Sequence, residues 1–166
     1  MTKRWKNNFL NMASLETKSK IVLYIAFIQA LVATLGSLFF DWVLHFAPCV
    51  LCWYQRVCIF PLVIILAVCI MKKDKNAPYF VLPLSLIGLA ISLYHNLLYY
   101  KVLPESIAPC TIGTSCTTQY INWFGFISIP LLSFCALTVI TICLFLYLRF
   151  NKQISLQTSS MSKKNK

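Results

Sequence analysis

Four of the eight cysteines in this 166-residue chain form two close pairs, Cys49-Val50-Leu51-Cys52 and Cys110 with Cys116. Thiols three positions apart in the first turn of a helix face the same side and can close a short disulfide. Pro48, immediately before Cys49, suits such a helix start, because proline's missing N–H costs nothing there. A helix N-terminus also favours the thiolate, the species that attacks or leaves in thiol–disulfide exchange. Arg56 follows Cys52 by four positions, so its guanidinium can sit one turn below that sulfur. From there it would stabilise a Cys52 thiolate and polarise the oxygen of a bound electron acceptor, with Gln55 as a neutral hydrogen-bonding neighbour. The competing reading of Arg56 is snorkelling to the outer headgroups.

Cys110 and Cys116 are separated by five residues, with Gly113 permitting a tight reversal between them. A structural staple there would contribute roughly 2–3 kcal/mol through chain entropy. Yet the loop is polar and long enough to move, and an accessible disulfide is one that a partner's thiolate can attack. One exposed pair and one pair at the edge of the lipid differ in accessibility as a relay of electrons requires. The remaining cysteines, Cys58, Cys69, Cys135 and Cys143, lie within apolar stretches and read as packing residues. No metal is expected, since His45 and His95 are the only histidines and neither has a compact ligand spacing with the cysteines. His95 and Asn96 fall at the depth of an acceptor headgroup; His95 suits either a helix–helix hydrogen bond or a place beside the acceptor.

These residues need elements to position them, and composition supplies the class. With 59% hydrophobic and 11% charged residues, the chain is too apolar for an ordinary soluble domain. Four apolar stretches, at about 21–40, 49–71, 77–100 and 124–148, are each at least 20 residues long. About 20 residues at 1.5 Å per residue cross a ~30 Å hydrocarbon core, and a helix satisfies its own backbone there. The fold class is therefore an all-α membrane protein, a four-transmembrane-helix bundle over 21–150. The first stretch exceeds the ~7–15 apolar residues of a signal peptide and reads as a retained helix. Outer loops are expected at 41–48 and 101–123. A basic N-terminal segment, 1–20, is expected to include a short interfacial helix around Trp5, Phe9, Leu10 and Met12. A polar tail, 151–166, is expected to be disordered.

The net charge of +11 points to topology rather than nucleic acid. Four crossings put the two termini and the middle loop on one side, and 13 of the 15 basic residues share it. That distribution places both termini in the cytoplasm and both cysteine pairs on the outer face, where disulfides persist. Aromatic residues crowd the outer helix ends, among them Trp42, Trp53, Tyr54, Tyr99 and Tyr100, as an interfacial belt does.

The run Ala47-Pro48-Cys49-Val50-Leu51-Cys52-Trp53-Tyr54-Gln55-Arg56, with Pro61, resembles the disulfide bond formation protein B family, DsbB, and most of all its BdbC-type branch from Gram-positive bacteria. Pro109-Cys110, Cys116-Thr117 and Tyr120-Ile121-Asn122-Trp123-Phe124-Gly125-Phe126, with Pro130, are similar to the same branch. The resemblance spans about Lys20 to Phe150. It implies a multi-pass enzyme of the bacterial cell membrane that reoxidises an extracytoplasmic thioredoxin-fold thiol oxidase of the DsbA or BdbD kind. Electrons would pass to menaquinone or ubiquinone. On matching positions, Cys110 would form the mixed disulfide with the partner and Cys116 would attack the Cys49–Cys52 disulfide at Cys49. Cys52 would then donate to the quinone, with Arg56 and His95 at its headgroup. The five-residue spacing of the second pair departs from the wide spacing of enterobacterial members, and Gln55 stands where some members carry an acid. Two alternatives remain: a membrane reductant resembling vitamin K epoxide reductase, whose CxxC lies late in the chain, and a non-catalytic scaffold with structural disulfides.

Overall fold

The computed structural model describes residues 2–73, 77–104 and 128–164. Four helices occupy them: α1 (Thr2–Trp42), α2 (Val50–Lys72), α3 (Ala77–Tyr99) and α4 (Ile129–Lys164). All four are long and apolar enough to cross a membrane. Each packs on its neighbour in the chain, and α4 closes the ring against α1. Cross-helix bonds show the antiparallel order: Arg56 near the start of α2 meets Asp41 at the end of α1, and Asn96 late in α3 meets Pro130 early in α4.

Small residues let the backbones approach, as they do where lipid removes any hydrophobic advantage from helix association. Ala26 and Ala30 of α1 and Ser85 and Ser92 of α3 are fully buried. Ser92 bonds to Ser133 across the α3–α4 seam at 3.2 Å. Between the two serines lies Gly88, where an added Cβ would meet Cys58 Cβ at 3.1 Å and Leu137 Cδ2 at 3.2 Å. Leu62, Leu66, Leu137, Ile140 and Leu144 fill the core below. The outward faces carry Ile21, Ile28, Val57, Ile64 and Ile142, more than two-fifths exposed, as lipid-facing positions should be. Gly88→Leu should overpack the α2–α3–α4 seam and cost about 1–3 kcal/mol. Thermal unfolding in detergent would register this as a lower midpoint, and an unchanged midpoint would mean the seam is looser than described.

Three elements differ from expectation. The N-terminal segment is no separate interfacial helix: α1 runs without interruption for 41 residues, roughly 60 Å. The tail is helical rather than disordered, since α4 continues to Lys164. The two extensions hold each other, with buried Ser19 donating to Asn151 Oδ1 at 3.2 Å and Thr158 bonding to Met12 sulfur at 3.9 Å. No glycine or proline follows Pro130 to stop α4. The fourth helix also starts later than 124: Ser128 is outside it, and its Oγ caps the Leu131 N–H at 3.4 Å. Of the packing cysteines, Cys58 and Cys69 are buried, whereas Cys135 is exposed on the outer face.

Candidate functional site

Cys49 is the N-cap of α2, in extended backbone conformation, and its sulfur accepts from the Cys52 N–H at 3.4 Å. The first turn then brings Cys52 round, and the two sulfurs lie 2.9 Å apart in hydrogen-bond contact. The i,i+3 spacing and the helix start at Pro48-Cys49 account for this approach. The pair is half at the surface and half within: Cys49 is buried, Cys52 partly so.

His95 comes from α3 to the same spot, 98% buried. Its Nε2 is 3.7 Å from Cys49 Sγ, and its Nδ1 is 3.2 Å from the Gln55 side-chain nitrogen. Gln55 lies on the turn after Cys52, so one buried amide holds the imidazole that reaches the cysteine. His45, the other histidine, joins no such group among the described residues. Local spacing along the chain gave no sign of a Cys–Cys–His cluster, because His95 is 46 positions from Cys49. The fold nevertheless brings the three ligand atoms within 4.8 Å of one another.

Arg56 is buried, which removes the snorkelling alternative. Its Nε donates to Ser37 Oγ at 2.8 Å, Nη2 to the Ser37 carbonyl at 3.0 Å, and Nη1 to Asp41 Oδ2 at 2.8 Å. The guanidinium also lies 5.3 Å from the Trp53 ring centre. Asp41 was assigned by sequence to the first outer loop, but it sits in the last turn of α1. An acid there opposes the helix dipole, and the guanidinium offsets that cost. Neither Ser37 nor Asp41 was singled out from sequence. An acid within a turn of a helix's outer end, in a chain with four acidic residues in all, was the available signal.

Cys49, Cys52, Gln55, Arg56 and His95 share the wall of a cavity of about 300 Å³. The rest of its lining comes from α1, α2, the loop before Cys49, and α4, with Phe40 stacked on Phe46 at 6.4 Å. Gly36 opens onto it, and a Cβ added there meets nothing within 4 Å. The cavity therefore joins a dithiol, a charge-bearing edge and an apolar slot. Asn96, also expected near the acceptor, instead bridges helices through the Ser92 and Pro130 carbonyls. Cys110 and Cys116 lie outside the described residues.

The sequence has relatives that carry the same chemistry in their names. The family model for disulfide bond formation protein DsbB matches residues 19–147. The disulfide bond formation protein C of Bacillus subtilis (strain 168) is 45% identical over 130 residues, 76% of this chain and 94% of that protein. Probable disulfide formation protein C 1 of Bacillus anthracis is 42% identical over 135 residues, 81% of this chain and 96% of that one. No solved structure matches. Bacterial kinship and four spanning helices make the chain a multi-pass plasma-membrane protein. By the extent of that match, and with a dithiol held at a helix start as the chemistry needs, the chain belongs to the DsbB family of disulfide-forming oxidoreductases.

Proposed function

We propose that this protein is a protein dithiol:quinone oxidoreductase, which reoxidises an extracytoplasmic thioredoxin-fold dithiol oxidase and so sustains disulfide formation in exported proteins. The observation that carries this reading is the Cys49–Cys52 pair on the wall of a cavity that also holds Arg56 and His95. The basic residues support the orientation. Lys18, Lys20, Lys72, Lys73 and Lys152 gather at the end of the bundle away from Cys49, so that end faces the cytoplasm.

The lining fits a quinone. Val32, Phe40, Phe46, Ile59 and Phe60 offer an apolar slot for a ring and tail, while Gln55, Arg56 and His95 offer polar groups for its oxygens. When bound, a quinone supplies the acceptor for two electrons and two protons. The cysteines do the covalent work. A thiolate of the partner attacks Cys110, breaks the Cys110–Cys116 bond, and is displaced by the partner's second thiol, leaving the partner oxidised and both cysteines reduced. Cys116 then attacks Cys49, the Cys49–Cys52 bond breaks, and Cys52 leaves as a thiolate. Cys110 closes on Cys116 and releases Cys49, so the inner pair now carries the two electrons. Loss of those electrons closes the Cys49–Cys52 disulfide again; Cys52 would face the bound acceptor at the cavity wall, Arg56 would hold positive charge beside its oxygen, and His95 would hold or release a proton at Nε2.

The test is reconstitution in quinone-containing vesicles with a reduced thioredoxin-fold partner. Quinone reduction should match partner oxidation, one quinone per dithiol; oxidation of the partner with no quinone reduced would overturn the proposal. Gly36→Leu should place a side chain in the open slot without disturbing packing. It should raise the apparent KM for quinone about tenfold, the equivalent of ~1.4 kcal/mol, while exchange between the cysteine pairs stays intact. An unchanged KM would place the quinone elsewhere.

A further inference from the structure

We infer that the reduced Cys49–Cys52 dithiol and His95 form a binding site for a thiophilic divalent cation of the zinc class. Cys49 Sγ, Cys52 Sγ and His95 Nε2 lie within 4.8 Å of one another, two cysteines and one histidine from two helices. A tetrahedral zinc ion bonds sulfur at about 2.3 Å and imidazole nitrogen at about 2.0–2.1 Å, which separates its ligand atoms by roughly 3.5–3.8 Å. The Cys49–His95 separation of 3.7 Å already matches. The sulfurs, at 2.9 Å, need to part by less than about 1 Å, a small turn of the partly exposed Cys52 side chain.

Two further features suit a cation. Metal-ligating histidines are held through their other ring nitrogen, and here the Gln55 amide sits 3.2 Å from His95 Nδ1. Turned to present its oxygen, that amide accepts the Nδ1–H and frees Nε2 to bind metal. Local charge also permits it. The guanidinium of Arg56 is drawn to Asp41 at 2.8 Å and to Ser37, on α1, and two thiolates match the two charges of the ion. Binding therefore releases two thiol protons. All three ligand residues line the cavity, which leaves room there for a fourth ligand. The disulfide form offers no thiolate, so the site exists only after the pair has been reduced. A bound cation would hold both sulfurs and keep the pair reduced, blocking its return to the disulfide.

Cobalt(II) is the probe, added to detergent-solubilised protein in which Cys110→Ser and Cys116→Ser remove the outer pair. With the chain reduced by a phosphine, one cobalt per chain should give the visible absorption of tetrahedral thiolate coordination, and zinc should displace it. The disulfide form should bind none. His95→Ala should weaken binding at least tenfold, and Gln55→Leu by about 10–100-fold, as loss of an outer-shell partner does. Far-ultraviolet circular dichroism confirms that each variant keeps its helices. Tetrahedral absorption that survives Cys52→Ser, stoichiometric binding by the disulfide form, or unchanged affinity in a helical His95→Ala variant would each overturn the assignment. Because neither quinone nor partner is present, the outcome is independent of the electron-transfer proposal.

Discussion

Cys52→Ser abolishes quinone reduction while leaving the outer pair able to accept electrons from the partner. Loss should reach the background rate, because among the described residues Cys49 and Cys52 are the cysteines that line the cavity. Cys58, the next cysteine along α2, is buried against Gly88 and is not among the residues that line the cavity. Serine is nearly isosteric but neither forms a disulfide nor releases a stable anion at neutral pH. Structure should survive the change: Cys49 keeps its capping position and its approach to His95. In vesicles, reduced partner should convert Cys110–Cys116 to thiols once and then stall, with one equivalent of partner oxidised and no quinone consumed. Continued turnover in this variant would mean that electrons leave by a route other than the inner pair.

Arg56→Met has the second large effect, and it acts on stability and on chemistry together. Breaking a buried ion pair by removing one partner costs about 3–5 kcal/mol. Here about 2–3 kcal/mol is expected, because the Asp41 side chain remains 25% exposed and regains some hydration. Ser37 also loses a donor to its hydroxyl and another to its carbonyl. Arg56→Lys does not rescue the site, since an ammonium cannot span Ser37 and Asp41 as the planar fork does. The informative variant is Arg56→Met with Asp41→Leu, which removes both charges. Its unfolding midpoint should recover most of the loss, yet quinone reduction should remain at least tenfold impaired. If activity returns with stability, Arg56 serves only to join α1 to α2.

How far the chain could be read in advance follows from how local each feature is. The four spans were legible because lipid imposes one solution on an apolar run of this length. Cys49 and Cys52 were legible as a pair because helical geometry alone brings positions three apart together. The placing of Arg56 one turn below Cys52 was likewise local, but its partners were not. Asp41 and Ser37 lie on α1, and only the α1–α2 packing shows that the guanidinium is tied to them. His95 was expected beside either a neighbouring helix or the acceptor, whereas its approach to Cys49 depends on the register of α3 against α2. The grouping of His95 with Cys49 and Cys52 was hidden from chain spacing for the same reason. The polar composition of 151–164 suggested disorder, yet helix continuation there depends on a partner, the matching extension of α1, which composition does not reveal.

The central claim is that electrons pass through the inner pair into quinone, and the redox state of four cysteines under quinone limitation tests it most directly. Thiols are trapped with acid and counted by alkylation, in vesicles containing reduced partner, with and without quinone. Without quinone, Cys49, Cys52, Cys110 and Cys116 should all be found reduced; with quinone, both pairs should return to disulfides. Both pairs remaining fully oxidised beside reduced partner in quinone-free vesicles would contradict the account and favour two structural disulfides.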